Sequence, residues 1–411
     1  MKAQLNHCSR TQIANLSKIL SIAVFVGSLS GMSQAAQVQL YGVVDTGIRY
    51  LHSDLDFAGK YDASDRFSME SGMQSSSRFG FKSVEVLGNG LQVGFVLEEQ
   101  FLGDTGAMAD ADLMFRRESS LFLQGGMGKI AFGRMGSVNN GVSSWGRHAM
   151  ISAFSTSWGS YTANADNLAG NSGLWDNMIS YETPNLAGFK VFAQYSMGNQ
   201  LEFDDEKYGV ENESSSDRYL AVGATYANGP LSLYIAVDSV NYATSGTGSN
   251  SNADDSFTVT IGGNYNFDVA KFFAGASYFD EVKMSNYGGA ASDYFNHENF
   301  GDFSASDLKI KGWSIGVSGS IPAVGGEILL GTVYLDAEAA DTMEKYDRAG
   351  TFANAEINRW IVSAGYNYPL SKQTNAYVIA TYVQDSIEAV QNHQDADPTV
   401  FGVMIGMRHK F

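Results

Sequence analysis

The chain of 411 residues carries 26 Lys and Arg against 44 Asp and Glu, a formal net charge of −18. An acidic excess of that size excludes nucleic acid as a partner, because it repels a phosphate backbone. A single cysteine excludes a disulfide framework and a thiolate metal site, whereas 25 Phe, 21 Tyr and 45 Gly beside only 5 Pro fit a large sheet protein.

At the N-terminus, Lys2, Arg10 and Lys18 precede the apolar run Ile19 to Gly27, and small residues follow at Ser33 and Ala35. This is the layout of a secretory signal peptide, expected over residues 1–35, with the working domain over 36–411. Cys8 leaves with that segment and lies upstream of its apolar run, which argues against a lipoprotein anchor. Losing three bases and no acid takes the net charge to −21.

Period-2 alternation then recurs to the end of the chain. It predicts strands near 38–50, 77–87, 91–102, 113–124, 128–136, 176–184, 188–198 and 217–228. Eight more follow near 231–243, 255–267, 269–281, 308–320, 324–337, 355–368, 373–384 and 399–411. Short connections such as Gly88–Gly90, Gly125–Gly128 and Asn228–Pro230 alternate with long polar ones such as Glu202–Asp217. Hairpin turns therefore gather at one end and long loops at the other. The long loops hold nearly the whole acidic excess.

The strands place Leu220, Val222, Ala224 and Tyr226, or Trp360, Val362, Ala364 and Tyr366, in one phase, with small or polar residues in the other. Sixteen strands closed into a barrel enclose a lumen wider than wall side chains can fill, so the apolar phase must face outward to lipid. The expectation is an all-β, 16-stranded antiparallel transmembrane barrel in the cell outer membrane, with short periplasmic turns and long extracellular loops. Tyr226, Tyr366, Tyr368 and Phe411 near strand ends fit interfacial girdles. The last stretch, "VFGVMIGMRHKF", alternates up to Phe411, with Arg408 and Lys410 in the wet phase and His409 at the membrane edge.

Several stretches carry a family resemblance: "AQVQLYGVVDTGI" (Ala36–Ile48), "SSRFGFKSVEVLGNGLQVGFVLEEQF" (Ser76–Phe101), "FRRESSLFLQGGMGKIAFGRM" (Phe115–Met135), "ISYETPNLAGFKVFAQYS" (Ile179–Ser196) and the closing "GMRHKF". Their order and spacing resemble the general porins of Gram-negative outer membranes, most closely the beta-proteobacterial and neisserial type. The resemblance implies a homotrimer of water-filled pores for small hydrophilic solutes, without cofactor or metal. It implies a third long loop, 137–175, folded into the lumen. It also implies a basic cluster on the wall, matched here by Arg78, Arg117 and Arg134, with Arg49 and Arg116 beside them and Asp166 and Asp176 on the loop side. Phe411 matches the residue that the barrel-assembly machinery reads. One departure is "GLWDNMISY" (Gly173–Tyr181), which lacks the arginine that the family usually carries ahead of its asparagine.

Arg117 shares the phase of Leu121 and Leu123, and Arg134 that of Ile130 and Phe132. Either these strands switch phase near their ends, or those leucines face the lumen and the outer face packs in a trimer interface; the resemblance, and not the pattern, favours the interface. A basic constriction predicts a weak preference for anions, and acidic loops predict divalent-cation sharing with lipopolysaccharide. Other functions are a channel selective for sugars or organic anions, a barrel adhesin, or an outer-membrane lipase. The lipase rests on "GWSIG" (Gly312–Gly316), a GxSxG match inside a continuing strand where a nucleophile elbow needs a turn and helix. His52, His148, His297, His393 and His409 show no spacing that marks a catalytic base, so no enzyme is expected. "EFDDE" (Glu202–Glu206) lacks the ligand spacing of a calcium loop.

Overall fold

The computed structural model describes residues 37–57, 60–159, 161–168, 170–198, 210–245, 254–284, 309–341, 355–388 and 397–411. The expected leader, Glu202–Glu206, His297 and His393 lie outside these residues. The strands are β1 (Gln39–Phe57), β2 (Lys60–Ser71), β3 (Arg78–Gly88), β4 (Leu91–Gln100), β5 (Glu118–Gly125), β6 (Gly128–Gly136), β7 (Leu174–Glu182), β8 (Phe189–Ser196) and β9 (Arg218–Asn228). The second half of the wall is β10 (Leu231–Asn241), β11 (Phe257–Asn266), β12 (Lys271–Lys283), β13 (Lys309–Ala323), β14 (Gly326–Ala339), β15 (Glu356–Pro369), β16 (Thr374–Glu388) and β17 (Thr399–Lys410).

From β3 onward each strand pairs antiparallel with the next, and β17 returns to β1 from Val43↔Lys410 to Asp54↔Thr399, which closes the sheet. Gly42 and Phe411 complete the seam by exchanging backbone hydrogen bonds of 3.0 and 3.1 Å. Only a residue without a Cβ fits there, since one added at Gly42 would sit 2.3 Å from Cζ of Phe411.

Seventeen strands occupy sixteen places around the barrel. β1 pairs with β3 over Gln39–Val43 and with β2 over Thr46–Phe57, so β2 and β3 are two halves of one interrupted strand. The upper half, β2, falls where the sequence predicts loop. The sequence signal fails there because polar pairs such as Tyr50–Asp65 (2.6 Å) and Ser53–Ser64 (2.7 Å), in place of an apolar stripe, set its register.

The predicted outward phase is correct: Leu220, Val222, Trp360 and Val362 are exposed, while Tyr219, Ala221 and Ile361 are buried against the interior. Among the described residues no helix is long and apolar enough to cross a membrane, and the crossing is made by strands. The segment between β6 and β7 folds into the lumen, as expected of the third loop. Its Trp145, Ile151, Phe154, Trp158 and Leu168 form one buried cluster with Phe122, Phe192, Tyr234, Tyr377 and Met404 of the wall. Burying each such side chain contributes about 1.5–3 kcal/mol. The barrel's apolar core therefore lies between the loop and the inner wall.

Leu121 is 56 % exposed while Phe122, at 8 %, packs in that inner cluster. Leu121 and Leu123 therefore face outward, and the inward placement adopted from the resemblance is corrected. Arg117 still reaches the lumen because it lies one residue before β5, where the pleat no longer dictates its direction. Arg134 pairs with Ser119 in the outward phase and stays there.

Candidate channel constriction

The third loop rests on a wall of glycines and hydroxyls. Added Cβ atoms at Gly275, Gly316 and Gly331 would meet Ile151, Leu168 and Phe154 at 2.8, 3.0 and 2.9 Å, so bare backbone lets the loop lie close. Between these glycines, hydroxyls bond the loop's backbone. Ser314 Oγ donates to the Leu168 carbonyl (2.7 Å), Ser318 accepts from Ala153 N–H (2.9 Å), and Ser363 accepts from Ala163 N–H (2.9 Å). Thr381 donates to the Tyr161 carbonyl. The serine of the GxSxG match thus lies buried in mid-strand and bonds the loop.

On the facing wall, Glu98 binds two arginines. Arg117 Nε donates to Oε1 at 2.6 Å, Tyr41 donates to Oε2 at 2.9 Å, and Arg78 Nε lies 3.6 Å away. Arg117 also donates to Gln100 (2.9 Å) and to the Val142 carbonyl of the loop (3.0 Å), which clamps loop to wall. Arg78 is aimed by the break between β2 and β3. There the Asp45 carboxylate accepts the N–H groups of Gln74 (3.0 Å) and Ser75 (2.7 Å) and the Tyr377 hydroxyl (2.5 Å). The turned segment presents Ser75 Oγ and the Ser76 carbonyl to the Arg78 guanidinium, both at 2.9 Å.

Arg49 faces the lumen one step along β1, paired with Glu70 at 2.7 Å. The other expected residues lie elsewhere. Arg134 donates to Asp176 (2.5 Å) and to the Arg116 carbonyl (2.7 Å), while Arg116 N–H reaches Glu99 (2.9 Å), an outward-phase island beneath the β4–β5 loop. Pairing with Asp176 and covering by the loop offset the cost of an outward arginine, about 2–4 kcal/mol at mid-membrane. Asp166 sits in a short 3-10 turn (Ala165–Asn167), 3.7 Å from the buried His148 of the loop.

Three further bases on the lumen side flank Arg78: Lys82, Arg408 and Lys410. Lys82 Nζ lies 4.8 Å over the Tyr41 ring, and Arg408 donates to Asn375 at 3.0 Å. Their signal is phase, since Arg408 and Lys410 oppose the outward Phe401, Ile405 and Met407. None of Arg78, Lys82, Arg408 and Lys410 bonds the third loop among the described residues.

A closed barrel with an apolar exterior and a polar lumen narrowed by an inserted loop defines a membrane channel of the outer-membrane β-barrel class. The family model described as Gram-negative porin matches residues 20–387, and the chain belongs to that family. It is therefore a multi-pass outer-membrane barrel with the porin's channel function for small solutes. It is 29 % identical to an outer membrane porin protein of Bordetella pertussis, over 96 % of this chain and 100 % of that one. It is 27 % identical to outer membrane porin protein 32 of Delftia acidovorans, over 96 % and 99 %. Among solved structures, the anion-selective porin from Comamonas acidovorans matches with a TM-score of 0.59 and 25 % identity, over 92 % of this chain and all of that one.

Proposed function

We propose that the protein is a general-diffusion pore with a weak preference for anions, working as a homotrimer. The carrying observation is the unbalanced wall of β17, β1 and β3. There Arg78, Lys82, Arg408 and Lys410 face the lumen, while the nearby acids Asp45 and Glu98 are sequestered by hydrogen bonds. A unit charge about 7 Å from an ion in water is worth about 0.6 kcal/mol, and screening over a Debye length of ~8 Å cuts this by more than half. Four bases less the two acids Asp45 and Glu98 leave about two charges, which stabilise an anion by roughly 0.5 kcal/mol and destabilise a cation by as much, a bias of several-fold between them. The similarity to an anion-selective porin supports the same sign, and membership of a typically trimeric family supports the assembly.

Reversal potentials in a salt gradient test the reading. The wild type is expected to favour chloride, and the triple variant Arg78→Gln, Lys82→Gln, Lys410→Gln to lose that preference. A cation-preferring wild type overturns it. Saturable block by an added sugar or dicarboxylate would instead mark a solute-selective channel, and a monomer on unheated gels would refute the trimer.

A further inference from the structure

One carboxylate grips both roots of the third loop. Asp238, on β10, is 2 % exposed, and among the described residues no Lys, Arg or His stands within ion-pair distance of it. Its partners are amides. Asn171, three residues before β7, donates to Oδ1 at 2.7 Å, and Asn139, three residues beyond β6, donates to Oδ2. Further bonds orient both amides: the Tyr234 hydroxyl donates to Asn139 Oδ1 (2.5 Å), while Asn171 Nδ2 also reaches Ser256 (3.0 Å) and Thr258 (3.2 Å). The roots are laced to each other as well, through Ser137 N–H to the Gly173 carbonyl (2.9 Å) and Ser137 Oγ to the Asn171 carbonyl (3.0 Å).

A buried carboxylate without a counter-cation is costly, and the usual justification is a structure that depends on its acceptors. Here the dependent structure is the loop that sets the bore. We propose that Asp238 is the positioning residue of the channel: by accepting an amide from each root, it fixes where the third loop crosses the lumen and so sets the conductance. The seat of serines and glycines holds the middle of the loop and Arg117 holds its Val142 carbonyl, while the Asp238 clamp ties together the two points where the loop leaves the wall. Asp238 carries this role through geometry and touches no permeating ion. The inference rests on the channel function and not on the sign of its selectivity.

The test exploits the direction of the hydrogen bonds. Asp238→Asn offers one acceptor and one donor to two donating amides, so one root must let go. Losing a charge-assisted bond raises the population of displaced loop states by on the order of tenfold or more. In planar bilayers the single steady conductance level should split into sublevels or become noisy, while the reversal potential stays put. The swap Asn171→Asp with Asp238→Asn lets the amide at 238 donate to the carboxylate on one root while its oxygen still accepts from Asn139 on the other, and should return the steady level. If Asp238→Asn fails to assemble, Asn139→Ala frees one root with the carboxylate intact and should show the same sublevels. Folded, heat-modifiable Asp238→Asn or Asn139→Ala with wild-type conductance and noise overturns the inference. So does a folded swap that keeps the single variant's sublevels, since a role confined to stability would alter unfolding and leave the current unchanged.

Discussion

Replacing Glu98 with glutamine removes the one acid shared by Arg78, Arg117 and Tyr41. Arg117 has a 4 % exposed side chain and bonds Glu98 at 2.6 Å, so its charge is solvated almost entirely by protein. The introduced amide keeps the size and one acceptor oxygen but turns a donor toward a cation or the Tyr41 hydroxyl. Gln100 and the Val142 carbonyl remain, so Arg117 is not abandoned. A buried pair broken outright costs about 3–5 kcal/mol, and with two neutral acceptors left the loss should fall near ~3 kcal/mol. That is about two decades in the unfolding equilibrium. Urea titration in detergent or bilayers, read by the shift between folded and unfolded gel bands, should show a midpoint clearly below wild type. Removing a lumen acid should also move the reversal potential further toward anions. An unchanged midpoint with an unchanged reversal potential would refute the claim that Glu98 organises the wall.

Asp45→Asn should unseat Gln74 and Ser75, lowering stability by about 1.5–3 kcal/mol in the urea titration. Gly331→Val places a side chain where an added Cβ meets Phe154 at 2.9 Å, so the loop should be forced off the wall at about 1–3 kcal/mol, with a smaller single-channel current. Gly42→Val collides with the Phe411 ring and the Arg78 carbonyl, and should cut the yield of heat-modifiable barrel several-fold in a refolding assay. Ser314→Ala should cost about 1 kcal/mol through the lost bond to Leu168, detected in the same titration.

Most of the barrel is legible in the sequence because lipid and water impose opposite demands on alternate residues. Where that contrast fades, so does the signal: Tyr50 and His52 of β1 meet Asp65 of β2 through polar bonds, and the sequence of β2 reads as loop. The pore cluster is half legible. Arg78 follows from phase and resemblance together. For Arg117 and Arg134, alternation and resemblance disagree, and each is right once: Arg117 escapes the pleat, and Arg134 obeys it under cover of Arg116 and Asp176. Asp238 and Glu98 leave no mark in the pattern, because their importance comes from partners far away in sequence, such as Asn139 and Tyr41.

The seat of the third loop bears on how such a channel can be retuned. Ser314, Ser318, Ser363 and Thr381 all bond the loop's peptide groups, as Asn264 does at the Met150 carbonyl. Peptide groups are common to every residue except for proline's missing N–H. Substitutions along the loop's free edge can therefore change what the passage attracts while leaving the loop's height over the wall untouched. Location and permeant chemistry are encoded in separate residues, and either can drift, or be engineered, without dragging the other along.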